Sequence, residues 1–118
     1  MKLLIFITKQ IESINPILRR LLEEDISGAT VVECEGMLKA IQNSSVDAPP
    51  IFGSLRYFIN PGNESARMLM IVPRDEKRLA RVREIIRENC GPLDKPNTGI
   101  LFEVPVENVE GVPKEKAE

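Results

Sequence analysis

A chain of 118 residues with 42% hydrophobic side chains can build one domain with a modest core and has no room for a second. Its 16 Lys and Arg against 18 Asp and Glu leave a formal charge of -2, and it has no tryptophan and few other aromatics. That balance argues against a nucleic-acid binder, which needs phosphate-neutralising cations and stacking platforms.

The N-terminal stretch "MKLLIFITKQ" carries one lysine and an apolar run, but it lacks a small-residue cleavage site and leads directly into an amphipathic pattern. It reads as a strand over residues 2 to 8, and its unbroken apolarity predicts burial on both faces. No apolar stretch approaches the roughly 20 residues that span a bilayer, so a cytoplasmic protein without direct membrane insertion is expected. A helix is predicted over residues 14 to 24, "INPILRRLLEE", with Ser13 or Asn15 as N-cap and Pro16 in the first turn. Ile14, Ile17, Leu18, Leu21 and Leu22 form its apolar stripe, and Arg19, Arg20, Glu23 and Glu24 its wet side. After Ser27 and Gly28 a second strand alternates Val32 and Cys34 with Glu33 and Glu35, a half-buried pattern that stops at Gly36.

Periodicity then disappears from 37 to 66, "MLKAIQNSSVDAPPIFGSLRYFINPGNESA". A loop of that length in a compact domain is usually functional or disordered. Its apolar island, with Ile51, Phe52, Leu55, Tyr57, Phe58 and Ile59, is costly to leave in water. Three readings stay open: a short helix packed on the body, a docking segment, or a lid over a ligand. In the docking reading Ile51, Phe52, Leu55, Arg56 and Phe58 contact the partner.

Residues 67 to 73, "RMLMIVP", restore a strand, and Asp75 caps a helix running to about Asn89 with Leu79, Val82, Ile85 and Ile86 on one stripe. The loop "CGPLDKPNTG" leads to a last strand, "ILFEVPV", so that residues 1 to 110 form the domain and 111 to 118 a charged tail. The order strand, helix, strand, strand, helix, strand predicts an α+β, ferredoxin-like βαββαβ sandwich, with two helices on one face of a four-stranded antiparallel sheet. Its other face would be bare and apolar, which calls for an oligomer.

Enzymatic chemistry finds little to work with. There is no histidine, no GxSxG and no Walker lysine loop, and Cys34 and Cys90 stand outside any CxxC spacing, as two reduced, partly buried thiols would. "NPGNES" has one glycine and no following lysine, and the basic run "RDEKRLARVRE" is interleaved with acids, as a solvated helix face is.

The chain resembles the P-II-like signalling superfamily, typified by nitrogen regulatory protein P-II. The resemblance covers residues 1 to about 110 and is carried by the element order, by "GATVVECEG", by "MLMIVPRDE" and by "TGILFEVPVENV". It implies a non-enzymatic homotrimer whose sheets line a central barrel. It also implies a small effector, often an adenine nucleotide, held between subunits. The effector reshapes the long loop, which engages a target such as a membrane transporter or a metabolic enzyme. By the same resemblance Thr30 meets the effector base, Gly36 and Met37 form the loop root, and Lys39 is a basic contact. Gly91, Lys95, Thr98 and Gly99 belong to the second glycine loop, from an adjacent subunit. The chain departs from the nucleotide-binding pattern at Ile100, where a lysine is usual, and at Gly111 and Pro113, near the usual pair of arginines. Two alternatives remain: an effector-independent docking module using residues 50 to 60, and a member of a related trimeric group of metal-tolerance proteins.

Overall fold

The computed structural model describes residues 1–37, 65–95 and 98–112. Strand β1 (Lys2–Thr8) is followed by one 3₁₀ turn (Ile11–Ser13), helix α1 (Ile14–Glu23) and strand β2 (Thr30–Glu35). Strand β3 (Ser65–Ile71), helix α2 (Glu76–Cys90) and strand β4 (Ile100–Pro105) complete the domain. The sheet has four strands in the order β2-β3-β1-β4, and every neighbouring pair is antiparallel. Each helix therefore links two parallel strands that are separated by a third. The architecture is α+β and compatible with a ferredoxin-like fold.

The strand periodicity of two sorts the sheet into faces. Leu4 pairs with Ile71 and Phe6 with Leu69, and all four are at most 2% exposed. Against them pack Ile14, Ile17 and Leu21 of α1 and Leu79, Val82, Ile85 and Ile86 of α2, in one continuous core. Burying a side chain of this size contributes about 1.5–3 kcal/mol, so this layer is the main source of stability.

Helix α2 starts as its sequence predicts. Asp75 is extended, and its carboxylate accepts the Arg78 amide at 2.8 Å. Gly91, at φ +79, ends the helix, and its amide donates to the Arg87 carbonyl at 2.9 Å. Helix α1 lies within one residue of its predicted span, but the expected capping bond is not made. Ser13 stands at the N-cap with a helical backbone and no capping bond, because the 3₁₀ turn runs straight into the helix; its hydroxyl donates to the Gln10 carbonyl at 2.6 Å. At the other end Asp25 takes a left-handed φ of 57°. The Asp25 amide then reaches the Leu22 carbonyl (3.1 Å) and the Ile26 amide the Leu21 carbonyl (2.8 Å), a Schellman motif. Ile26 is thereby buried, whereas Leu22, assigned to the apolar stripe, is 74% exposed.

Among the described residues nothing covers the second sheet face. Register places Leu3, Ile5 and Ile7 beside Met70 and Met68 of β3 on one side and Val104, Phe102 and Ile100 of β4 on the other. Thr30, Val32 and Cys34 of β2 continue this face. The burial of β1 predicted for both faces holds for one: Leu4, Phe6 and Thr8 are buried, while Leu3, Ile5 and Ile7 are only half-buried. Edge strand β2 is exposed even at Val31 and Val32, so its half-buried reading holds only for Cys34. Ser65 and Ala66, read as loop, pair with Glu35 and Cys34 inside β3, whereas Val72 and Pro73 lie beyond its end. Most of the predicted loop falls outside the described residues.

Charges fasten the two helices together on the solvent side. Arg81 of α2 grips Glu24 with Nε and with Nη2 (2.7 Å), and reaches Glu84 at 2.9 Å, while Arg20 of α1 meets Glu88 at 3.0 Å. The hydrogen bond from Arg81 holds the Glu24 carboxyl below its ordinary value, and the Arg78 amide does the same for Asp75. Both groups bind protons more weakly folded than unfolded. Their stabilisation is present above the unfolded pKa values and is lost as pH falls through the lower folded ones. Urea midpoints are therefore expected to decline in acid below the ordinary values of 4.5 for Glu24 and 3.8 for Asp75. Glu24→Gln and Asp75→Asn should each flatten that decline, and an acid limb identical to wild type in both variants would contradict the assignment.

Candidate functional site

At one end of the sheet β1 and β2 finish while β3 and β4 begin. A cleft of about 240 Å³ opens there, lined by Ile7, Thr8 and Lys9, by Cys34, Glu35 and Gly36, and by Ala66, Gly99 and Ile100. Ile7, Cys34, Ala66 and Ile100 are residues of the uncovered face, so the cleft continues that apolar surface. Among the described lining residues Lys9 and Glu35 are the ionisable groups other than the Cys34 thiol.

The floor of the cleft is rigidly built. Thr8 is 1% exposed, and its hydroxyl donates to the Thr98 carbonyl (2.7 Å) while accepting the Gln10 amide (3.0 Å). Thr98 is also buried, and its hydroxyl donates to the Lys95 carbonyl at 2.8 Å. These bonds tie the loop before β4 to the end of β1. Gly99 adopts φ +140, where a Cβ would stand 2.7 Å from the Ile7 carbonyl oxygen and 2.9 Å from Phe6 Cε1. Only glycine fits so close to another strand's backbone.

The residues singled out in the sequence separate into three groups. Gly36 and Gly99 meet on the cleft, and both come from the same chain. Thr98 and Gly91 serve the backbone, Thr98 by closing its loop and Gly91 by ending α2. Thr30, Met37 and Lys95 do not line the cleft. Thr30 begins β2, six residues from Gly36 and therefore about 20 Å away along the strand. Met37 is 71% exposed, and Lys95 sits in an exposed turn whose amide donates to the Pro92 carbonyl at 3.3 Å. Lys39 and the set Ile51, Phe52, Leu55, Arg56 and Phe58 lie outside the described residues, as does Pro113.

Lys9, Thr8 and Cys34 were not legible as site residues. The one available signal is that Thr8 and Lys9 end a strand, and strand ends collect ligands only once the neighbouring strands are known. Cys34 is half-exposed and Cys90 buried, both as free thiols, and burial pushes the Cys90 thiol up. A larger groove of about 610 Å³ runs between Glu24 and α2, but Arg81 and the acids Glu24 and Glu84 that line it are already paired with each other. Among the described residues no helix is long and apolar enough to cross a membrane.

No protein-family model matches the chain, and no curated protein matches it.

Because Gly99 and Thr8 fix the same junction, Gly99→Ala is expected to lower stability by about 1–3 kcal/mol through strain. Thr8→Val should cost a similar ~1–3 kcal/mol by stranding buried polar partners. Urea unfolding of the single and double variants would show sub-additive losses, since both open one junction. A Gly99→Ala protein as stable as wild type would refute the close approach.

Proposed function

We propose that the protein is a divergent P-II-like regulator: a cytoplasmic, non-enzymatic homotrimer with the ferredoxin-like sandwich. It binds a small effector, a nucleotide or another anion, between subunits where this cleft meets a neighbouring copy, and acts on a target protein through the segment between β2 and β3. The target class is a membrane transporter or a metabolic enzyme. One observation carries this reading: Gly36 and Gly99, far apart in sequence, line one cleft at the root of that segment. Two further features support it. The uncovered apolar face supplies a surface for self-association, with Ile100 at 57% and Phe102 at 40% exposure. Thr30 lies on that face but far from its own cleft, so an effector contact from Thr30 would come from a neighbouring copy.

A second reading, an effector-independent docking module, draws on Ile100 lining the cleft where a cation would suit a phosphate, and on Lys95 standing off it. The two readings divide on whether capture of the target depends on a small molecule.

Light scattering should give a mass near three times the 13.3 kDa of one chain, and Phe102→Glu on the apolar face should return it to the monomer. A trimer that survives this substitution would rule out assembly through the sheet. A thermal-shift series with ATP, ADP, AMP, cyclic dinucleotides and bicarbonate tests the sensor: a ligand at a hundred times its Kd adds about 2.7 kcal/mol. A flat series on folded protein would favour the docking module.

A further inference from the structure

We infer that residues 106–112 form a strap across the end of the sheet opposite the cleft, and that this strap holds the connection between α1 and β2 in place and opens without unfolding of the core.

The path of the chain is the first support. Beyond the last β1–β4 pair, Lys2 with Pro105, the Val106 amide donates to the Met1 carbonyl at 3.1 Å, which takes the chain from the edge of the sheet to the start of β1. Val112 then lines a small cavity with Val72 and Pro73, just past β3, and with Asp25, Ile26 and Ser27, just before β2. In the strand order β2-β3-β1-β4 the segment therefore crosses from one edge towards the other. Three strand spacings come to about 14 Å. The stretch from 106 to 112 can span at most about 25 Å, so the crossing leaves slack for turns.

The chain uses that slack in a regular way. Val106, Val109 and Val112 are half-buried, whereas Glu107, Asn108, Glu110 and Gly111 are exposed. Asn108 has φ 55 and Gly111 φ 84, and each stands immediately before one of the half-buried valines. Asn and Gly are the residues that take such left-handed positions most readily. Repeated three apart, they return every third side chain to the body of the protein. The run V-E-N-V-E-G-V thus reads as apolar anchors separated by solvated spacers.

What the strap reaches needs holding. Strand β2 lies at the edge of the sheet with β3 as its neighbour, and the connection before it turns twice, at Asp25 with φ 57 and at Gly28 with φ 90. Ile26 is its buried residue, with its amide on the Leu21 carbonyl at 2.8 Å, and it shares the cavity wall with Val112. The anchors are also weaker than the core. Half-buried valines remove less apolar surface from water than the buried side chains under the helices, so the strap opens at a lower free energy than the core.

Amide hydrogen exchange of the full-length protein, read by NMR at Val106, Ile26, Gln10 and Leu69, tests the inference. Val109→Asp is expected to speed exchange at Val106 and Ile26 together, at least tenfold, while Gln10 at the cleft end and Leu69 in the core keep their wild-type rates. Val109→Ala, which adds no charge, carries the same test at a lower level, at least threefold, and Val109→Ile should keep wild-type protection. Faster exchange at Val106 alone would overturn the hold on the α1–β2 connection. Unchanged exchange at Val106 in Val109→Ala would overturn the strap itself. Equal acceleration at all four amides would overturn its opening as a separate unit.

Discussion

Every second residue of β1 points to the same side, and that alternation divides the molecule. Leu4 and Phe6 lie under two helices, while Leu3, Ile5 and Ile7 lie under none of the described elements. Because β1 is central and pairs with both β3 and β4, a shift of one residue in its register would exchange the two sets. The helices would then rest on Leu3, Ile5 and Ile7, and the core would have to be rebuilt from different shapes. The uncovered face is thus a direct result of covering the other one with only two helices.

The same strand carries the junction at its end. Thr8 follows the alternation and falls on the core side, where a hydroxyl needs partners. It finds them in the Thr98 carbonyl and the Gln10 amide, and so converts a buried polar side chain into the fastening between two distant parts of the chain. Gly99 lets the backbone come close enough for that bond. Cleft and core are consequently not separate constructions, since the residue that closes the core's edge also shapes the cleft's floor.

Much of this was legible in the sequence, and the misses have physical causes. The apolar run of β1, the stripe of α2 and the Asp75 cap are local signals, and local periodicity is enough to place them. The end of α1 is different: no glycine stands there, and Asp25 takes the left-handed turn, which Asp tolerates better than most residues. Leu22 fits the apolar stripe by spacing but lies just outside the arc that the sheet covers. For the site, Gly36 and Gly99 announce themselves as glycines at strand ends. Lys9 and Cys34 do not, because their neighbourhood exists only after the strands have paired, and strand pairing is not a local property. Thr98 shows the opposite error, a polar residue in a candidate loop whose hydroxyl is consumed by the loop itself.

The two edges of the sheet are chemically unequal. Along β2 the side chains include Glu33 and Glu35, and Glu33 is tied back to Arg67 at 3.1 Å. Along β4 they include Ile100, Phe102 and Val104, all exposed. An unpaired strand edge invites another strand, and acids discourage it while apolar residues encourage it. The acidic edge is therefore protected by its own charge, whereas on β4 the one acid, Glu103, is tied to Arg83 and Pro105, which lacks an amide proton, shortens the pairable stretch. Colloidal behaviour should follow from this asymmetry: in crowded solution a free chain is expected to associate first along β4, and a single lysine at its centre would act as a gatekeeper.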